Sequence, residues 1–379
     1  MSPSPRLVAS SLVVVLVGGV VAVTTHGRDH GSEPAAAVRP VGSLTPAPSP
    51  TPSLTPSPAT SPRPRSTTPA RHEQAAAKPL FPLPAKPAYP KPCPPPPIKP
   101  GPPFKPPKPE IKAAQLPGPV AVAKHRHVDL RPVSGKGMWL TTWADTRLDI
   151  PRLIAKARAA GLQQLWVRTG GTYQGWYGDR LLTALLPAAH AAGLSVIAWD
   201  FPTLSDPLLD VRRARHDLLG TFGGERLDGF SPDIETIYEG TFNSDRRVQV
   251  YLSRVRRDAG SMPVIATVLR PTETQLATYP YRAEAPYVDV FAPMVYWSCN
   301  EPGITALESL KPLAKLRPVH LVGQSYDMGP EGGRHGLPTG REIWRFLDVA
   351  KRSGAVGASL YVYSSTRGPQ WQALGAYPW

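Results

Sequence analysis

The chain has 379 residues, 49 of them proline, and a formal net charge of +15. Twenty-nine prolines fall in the 86 residues 34–119, a density that leaves too few backbone donors and apolar side chains for a core and excludes a folded domain there. Eleven Lys/Arg against two Asp/Glu place most of the excess charge in the same stretch, away from any folded patch with interleaved aromatics, which sets a nucleic-acid partner aside.

A stub of residues 1–6 carries Arg6. Residues 7–23 are 17 uncharged, mostly apolar positions, the lower limit of a membrane span and slightly long for a signal-peptide core. No small-x-small cleavage site closes the segment directly, so residues 7–25 read as an uncleaved membrane anchor ahead of a cleaved signal peptide. Either implies export, with Arg6 on the inner side. Residues 26–132 are a disordered Pro/Lys/Ser/Thr-rich spacer that favours extended polyproline II structure, rising ~3.1 Å per residue. Its basic character suits contact with an anionic cell-wall polymer or lipid headgroups, simple solvation being the alternative. Two cysteines, Cys93 in the spacer and Cys299 beyond it, imply no staple within one core.

From residue 133 to 379 short apolar runs alternate with amphipathic stretches, the pattern of βα units and a parallel sheet. Eight strand-like runs occupy residues 138–143, 164–169, 194–201, 228–235, 263–269, 288–296, 319–326 and 358–364. Helical periodicity appears at 150–160, 181–192, 245–259 and 340–352. Two copies of an Ala-Ala-Gly-Leu turn, at 159–162 and 191–194, each end a helix on glycine and start a buried strand. Eight such units in about 240 residues predict a (β/α)₈ TIM barrel, of the α/β class. An open doubly wound sheet is the alternative, but no Gly-rich phosphate loop follows the first strand.

A barrel of this kind carries its chemistry at the carboxyl ends of the strands. There the sequence places Trp143 and Asp145, Arg168, Trp199 and Asp200, Asp233 and Glu235, Arg270, Tyr296 and Trp297, Tyr326 and Asp327, and Tyr361 and Tyr363. The set is rich in carboxylates and aromatics. It implies no metal site and no cofactor, and no Ser sits on a G-x-S-x-G turn. Asp233 and Glu235, two apart on one strand, project to the same face. Crowded together and partly desolvated, they cannot both ionise easily, and one should hold a proton near neutral pH as a general acid does. The competing reading pairs one of them with Arg168 or Arg270 as a structural ion pair.

The stretch Asp228-Gly229-Phe230-Ser231-Pro232-Asp233-Ile234-Glu235 resembles the fourth-strand motif D-G-x-D-x-D-x-E of glycoside hydrolase family 18, the chitinases and related N-acetylglucosaminidases. Met294-Val295-Tyr296 resembles that family's sixth-strand M-x-Y. The resemblance implies that Glu235 protonates the leaving oxygen, Asp233 orients a substrate acetamido group acting as internal nucleophile, and Tyr296 supports that group. Ser231 stands where the family has its first inner Asp, and Trp297 replaces the Asp after the tyrosine.

The loop after the second strand carries Tyr173, Trp176 and Tyr177 among glycines, a candidate subsite for stacking on sugar rings. With Trp143, Asp145, Arg168, Asp200, Trp297, Tyr326 and Tyr361 it would line the substrate cleft. The function expected is an exported, membrane-anchored glycoside hydrolase acting on N-acetylhexosamine-containing polysaccharide, chitin-like or a peptidoglycan glycan. A carbohydrate-binding pseudoenzyme of the same fold at the cell surface is the alternative, motivated by Ser231 and Trp297.

Overall fold

All eight apolar runs read from the sequence become strands. A computed structural model describes residues 108–122, 127–141, 148–331 and 333–379, all within one compact unit of the chain. The expected anchor and most of the spacer lie outside the described residues. Strands β1 (Gly135–Leu140), β2 (Gln164–Gly171), β4 (Ser195–Phe201), β5 (Gly229–Pro232), β6 (Ile265–Val268), β7 (Val290–Val295), β8 (His320–Gln324) and β9 (Gly357–Tyr361) form the main sheet. The two-residue β3 (Gly175–Trp176) pairs antiparallel with the end of β2.

The sheet order is β5-β4-β2-β1-β9-β8-β7-β6, each neighbouring pair parallel. Parallel bridges Phe230–Val264 and Asp233–Thr267 then join β5 to β6 and complete the ring. Between successive strands run α1 (Ile150–Ala159), α2 (Asp179–Ala191), α3 (Pro207–Leu219), α4 (Asp245–Ala259), the short pair α5 (Glu273–Thr278) and α6 (Tyr281–Glu284), α7 (Pro302–Leu313) and α8 (Gly340–Arg352), with α9 (Gly368–Ala376) last. This is a (β/α)₈ barrel, as the strand count predicts.

Residue parity along each strand sorts side chains into two cores. Outward residues such as Met138, Leu165, Val196 and Leu321 pack under the helices. Inward ones, among them Trp139, Trp166, Ile197, Trp199, Val290 and Val322, fill the barrel. Trp139 and Trp166 stack with ring centroids 4.7 Å apart, and Trp139 Nε1 donates to Ser359 Oγ at 2.7 Å. His320, also inside, lies between Val133 O and Ser359 Oγ, each 2.9 Å away. Burial pushes its pKa down to about 4, so it is neutral packing.

Helix starts follow capping chemistry. Asp149 and Asp206 accept from the first-turn amides of α1 and α3, and Thr339 with Glu342 forms a capping box on α8. Both Ala-Ala-Gly-Leu stops are left-handed, with φ of 60° at Gly161 and 73° at Gly193.

Two observations depart from the sequence reading. Residues 110–120, counted there with the spacer, are bonded to the domain: Glu110 N donates to Ser205 Oγ in the loop after β4 at 2.8 Å and Val120 N to Ser253 Oγ of α4 at 3.0 Å. Cys299 is disulfide-bonded, whereas no staple was expected; Cys93, the chain's other cysteine, lies outside the described residues.

Candidate active site

β5 and its continuation turn Ser231, Asp233 and Glu235 to the barrel axis, while Phe230 and Ile234 join the outer core. The strand begins on glycine because nothing larger fits. A Cβ at Gly229 would come within 2.8 Å of Ile197 Cδ1. Asp233 is only 8% exposed, and its Oδ1 has no hydrogen-bond partner. Burial pushes its pKa up to about 7; the Arg168 guanidinium opposes that shift, and the charges of Glu239 and Asp200 add to it. Glu235, half-buried one step nearer the mouth, is raised well above the ordinary glutamate range by burial and by the charges of Asp233, Glu239 and Glu331. The expectation that a member of the pair holds its proton near neutral pH therefore agrees with the surroundings of both.

Three tyrosines form the wall beside them. Tyr296 meets Tyr326 edge-on at 5.5 Å and Tyr361 at 6.0 Å, and Tyr326 meets Tyr361 at 5.8 Å. Tyr361 also contacts Trp139 and Trp199 at the floor. Burial raises all three phenols and keeps them neutral. Arg168 lies over Trp199, its Cζ 5.0 Å from the ring centroid. The structure thus brings Asp233, Glu235, Tyr296, Tyr326, Tyr361 and Arg168 together at the carboxyl end of the barrel.

Other expected site residues are elsewhere. Asp200 has the opposite parity to Trp199, points outward and is fully buried. There it accepts two bonds from Arg213 Nε of α3, at 3.0 and 3.1 Å; it is a helix-to-sheet ion pair and no cleft residue. Trp297, one past Tyr296, likewise turns outward, fully buried against Phe346 at 5.3 Å. Trp176 stacks on His216 and Phe222 at 4.8 and 5.7 Å and donates to Asp217 at 3.1 Å. That is packing against α3. Tyr177 is half-buried, its amide bonded to Thr169 O at 2.8 Å, while Tyr173 is 73% exposed. Trp143 and Asp145 lie outside the described residues.

Glu239 and Glu331 are not among the site residues expected from the sequence. Glu239 follows β5 and accepts from Thr236 N at 3.0 Å. Glu331 follows β8 and accepts from the Tyr326 hydroxyl at 3.0 Å. Neither ends an apolar run, the one signal that marked the others. Ser231 gives Asp233 no relay: its hydroxyl is engaged with Ile265 O at 3.0 Å and Thr267 Oγ1 at 2.7 Å. Among the described residues no three His, Cys, Asp or Glu side chains gather closely enough to hold a metal ion.

A parallel barrel whose mouth holds carboxyl groups, tyrosines and Arg168 is the class of molecule that fold and site define. No family model and no curated protein matches the sequence. Solved structures similar to the chain include a chitinase from Chromobacterium violaceum ATCC 12472, at 12% identity and a TM-score of 0.49, covering 64% of this chain and 98% of that one. A chitinase from Rhizomucor miehei matches at 15% identity and a TM-score of 0.47, over 63% of this chain and 98% of that one. A GH113 beta-1,4-mannanase matches at 12% identity and 0.47, over 64% and 97%. At these values the fold rests on the strand order itself, and chemistry rests on the side chains.

Proposed function

We propose that the protein is a glycoside hydrolase acting on polysaccharide that contains N-acetylhexosamine, chitin-like or a peptidoglycan glycan. The observation that carries this reading is a carboxyl group, Glu235, at the mouth of the barrel, where burial and neighbouring charges favour its neutral form, beside a buried carboxyl, Asp233, with an unsatisfied oxygen. Glu235 is the general acid that protonates the leaving oxygen. Asp233 Oδ1 accepts from a donor on the substrate, for which an acetamido N–H is suited, and Tyr296 borders the same space. The tyrosine wall offers flat faces to a pyranose ring. Glu235→Gln keeps the shape and removes the proton. It should lower release of reducing ends from chitin oligosaccharides or purified peptidoglycan by about 10²–10⁴-fold; undiminished release would overturn the assignment.

A second reading, a carbohydrate-binding pseudoenzyme, is favoured by the Ser231 hydroxyl, which is committed to Thr267 and does not tune Asp233. It predicts saturable glycan binding with no product. For the whole chain we propose export and attachment at the cell surface through residues 7–25, with the basic spacer against wall polymer. Among the described residues no helix is long and apolar enough to cross a membrane, so this part stands on the sequence pattern. Recovery of the chain in the cytoplasmic fraction would overturn it.

A further inference from the structure

Glu331 ends the short 3-10 turn Gly329–Glu331 after β8, and β6 and β7 separate β8 from β5 around the ring. Its carboxylate and Glu235 thus enter the mouth from well-separated strands. Its partner Tyr326 packs against Tyr296 at 5.5 Å and Tyr361 at 5.8 Å, which sets the Glu331 carboxylate at the edge of the tyrosine wall. The surroundings of the two glutamates differ in kind. Tyr326 O–H donates to Glu331 Oε2 at 3.0 Å, and donation to a carboxylate favours its charged form. Burial raises the Glu331 pKa from its ordinary value, and this bond opposes the rise. Around Glu235 the influences are burial and three neighbouring negative charges, all of which favour the neutral form. Where two carboxyls share a site, environments that push them apart assign acid and base.

Resting on the glycosidase reading above, we infer that Glu331 is the second catalytic carboxylate, positioned at the mouth by the Tyr326 hydroxyl and serving as the base that activates water. The Glu235 proton passes to the glycosidic oxygen as its bond to the anomeric carbon breaks. The water oxygen bonds to that carbon and gives a proton to Glu331. One water is consumed, a hemiacetal and an alcohol leave, and the proton returns from Glu331 to Glu235 through solvent. Tyr326 is the positioning residue. In this scheme hydrolysis does not require a substrate acetamido group, and β-linked hexose polymers without one fall within the substrate class.

The experiment measures reducing-end release by the full chain from chitin oligosaccharides and from their de-N-acetylated counterparts, with pH profiles. Glu331→Gln should lower kcat about 10²–10⁴-fold with KM little changed, remove the acidic limb of the profile, and regain turnover with added azide. Tyr326→Phe, which removes only the donor, should shift that limb to higher pH. Glu331→Gln with wild-type kcat beside an inactive Glu235→Gln would overturn the second carboxylate and leave the glycosidase reading standing. Loss of all turnover on de-N-acetylated chains, with Glu331→Gln unaffected on acetylated ones, has the same consequence. A wild-type chain that releases nothing from either substrate overturns both.

Discussion

Two positions apart on one strand, Asp233 and Glu235 meet different surroundings, and the difference sets the expected pH dependence. The acid works only while Glu235 is protonated, so activity falls on the alkaline side as that proton is lost. Asp233, with a pKa pushed up to about 7, is charged above that pH and there opposes ionisation of Glu235. Asp233→Asn removes the charge and lowers the Glu235 pKa. The alkaline limb of kcat/KM should then move to lower pH; a limb that stays put or moves upward would mean that Asp233 does not act on Glu235. Parity decided which residues sequence reasoning could place. Asp233, Glu235, Tyr296 and Tyr361 share the inward phase of their strands, whereas Asp200 and Trp297 sit one step out of phase, where a strand end looks the same in sequence. Glu331 comes from a turn held by a tyrosine hydroxyl, a contact that no local pattern encodes.

At the scale of elements, apolar periodicity revealed the eight strands and the helices α1, α2, α4 and α8, because each buries an apolar stripe. α3 carries Asp210, Arg213 and Asp217 on its buried face, where Arg213 pairs with both Asp210 and Asp200; a charged stripe of this kind masks the period. Lys136 is a second buried charge that the sequence does not announce. Its Nζ donates to the carbonyls of Ala160, Leu374 and Tyr377, at 2.9, 2.5 and 2.8 Å, tying the ends of α1 and α9 to β1. Lys136→Met keeps most of the stem's packing and leaves three carbonyls without this donor. The expected cost is about 2–4 kcal/mol, seen as a Tm drop of roughly 5–15 °C. Burial also pushes the lysine pKa down to about 8 from its ordinary 10.5, so the unfolded chain binds more protons between those values. This group's contribution makes stability rise with pH across that window, and the Met variant should lose the slope.

For the whole molecule, the junction between spacer and barrel is the feature that composition misplaces. Proline content runs on to residue 119 and suggests a boundary near 132, yet the chain is already bound to the domain by Glu110. Its path follows α4, where Arg246 Nη2 donates to Leu116 O at 3.0 Å and Arg254 Nη1 to Gly118 O at 3.1 Å. Arg247, 3% exposed, donates to Ile111 O and to Leu204 and Ser205 O, so it joins this strap to the loop after β4. Leu116 on the strap is buried as well, 4% exposed. Proline suits the strap for the reason it unsuits a sheet: an extended chain with few amides is satisfied by side-chain donors and acceptors from a helix. Two truncations test whether the strap belongs to the fold. A chain starting at residue 108 retains all of these contacts and one starting at 123 has none, while both lack Cys93, so its absence does not distinguish them. Burial of one leucine and loss of several partly exposed hydrogen bonds amount to about 2–3 kcal/mol, or a Tm roughly 4–12 °C lower for the shorter chain in calorimetry. Equal melting temperatures would return residues 108–122 to the spacer and leave the buried Arg247 held by the domain alone.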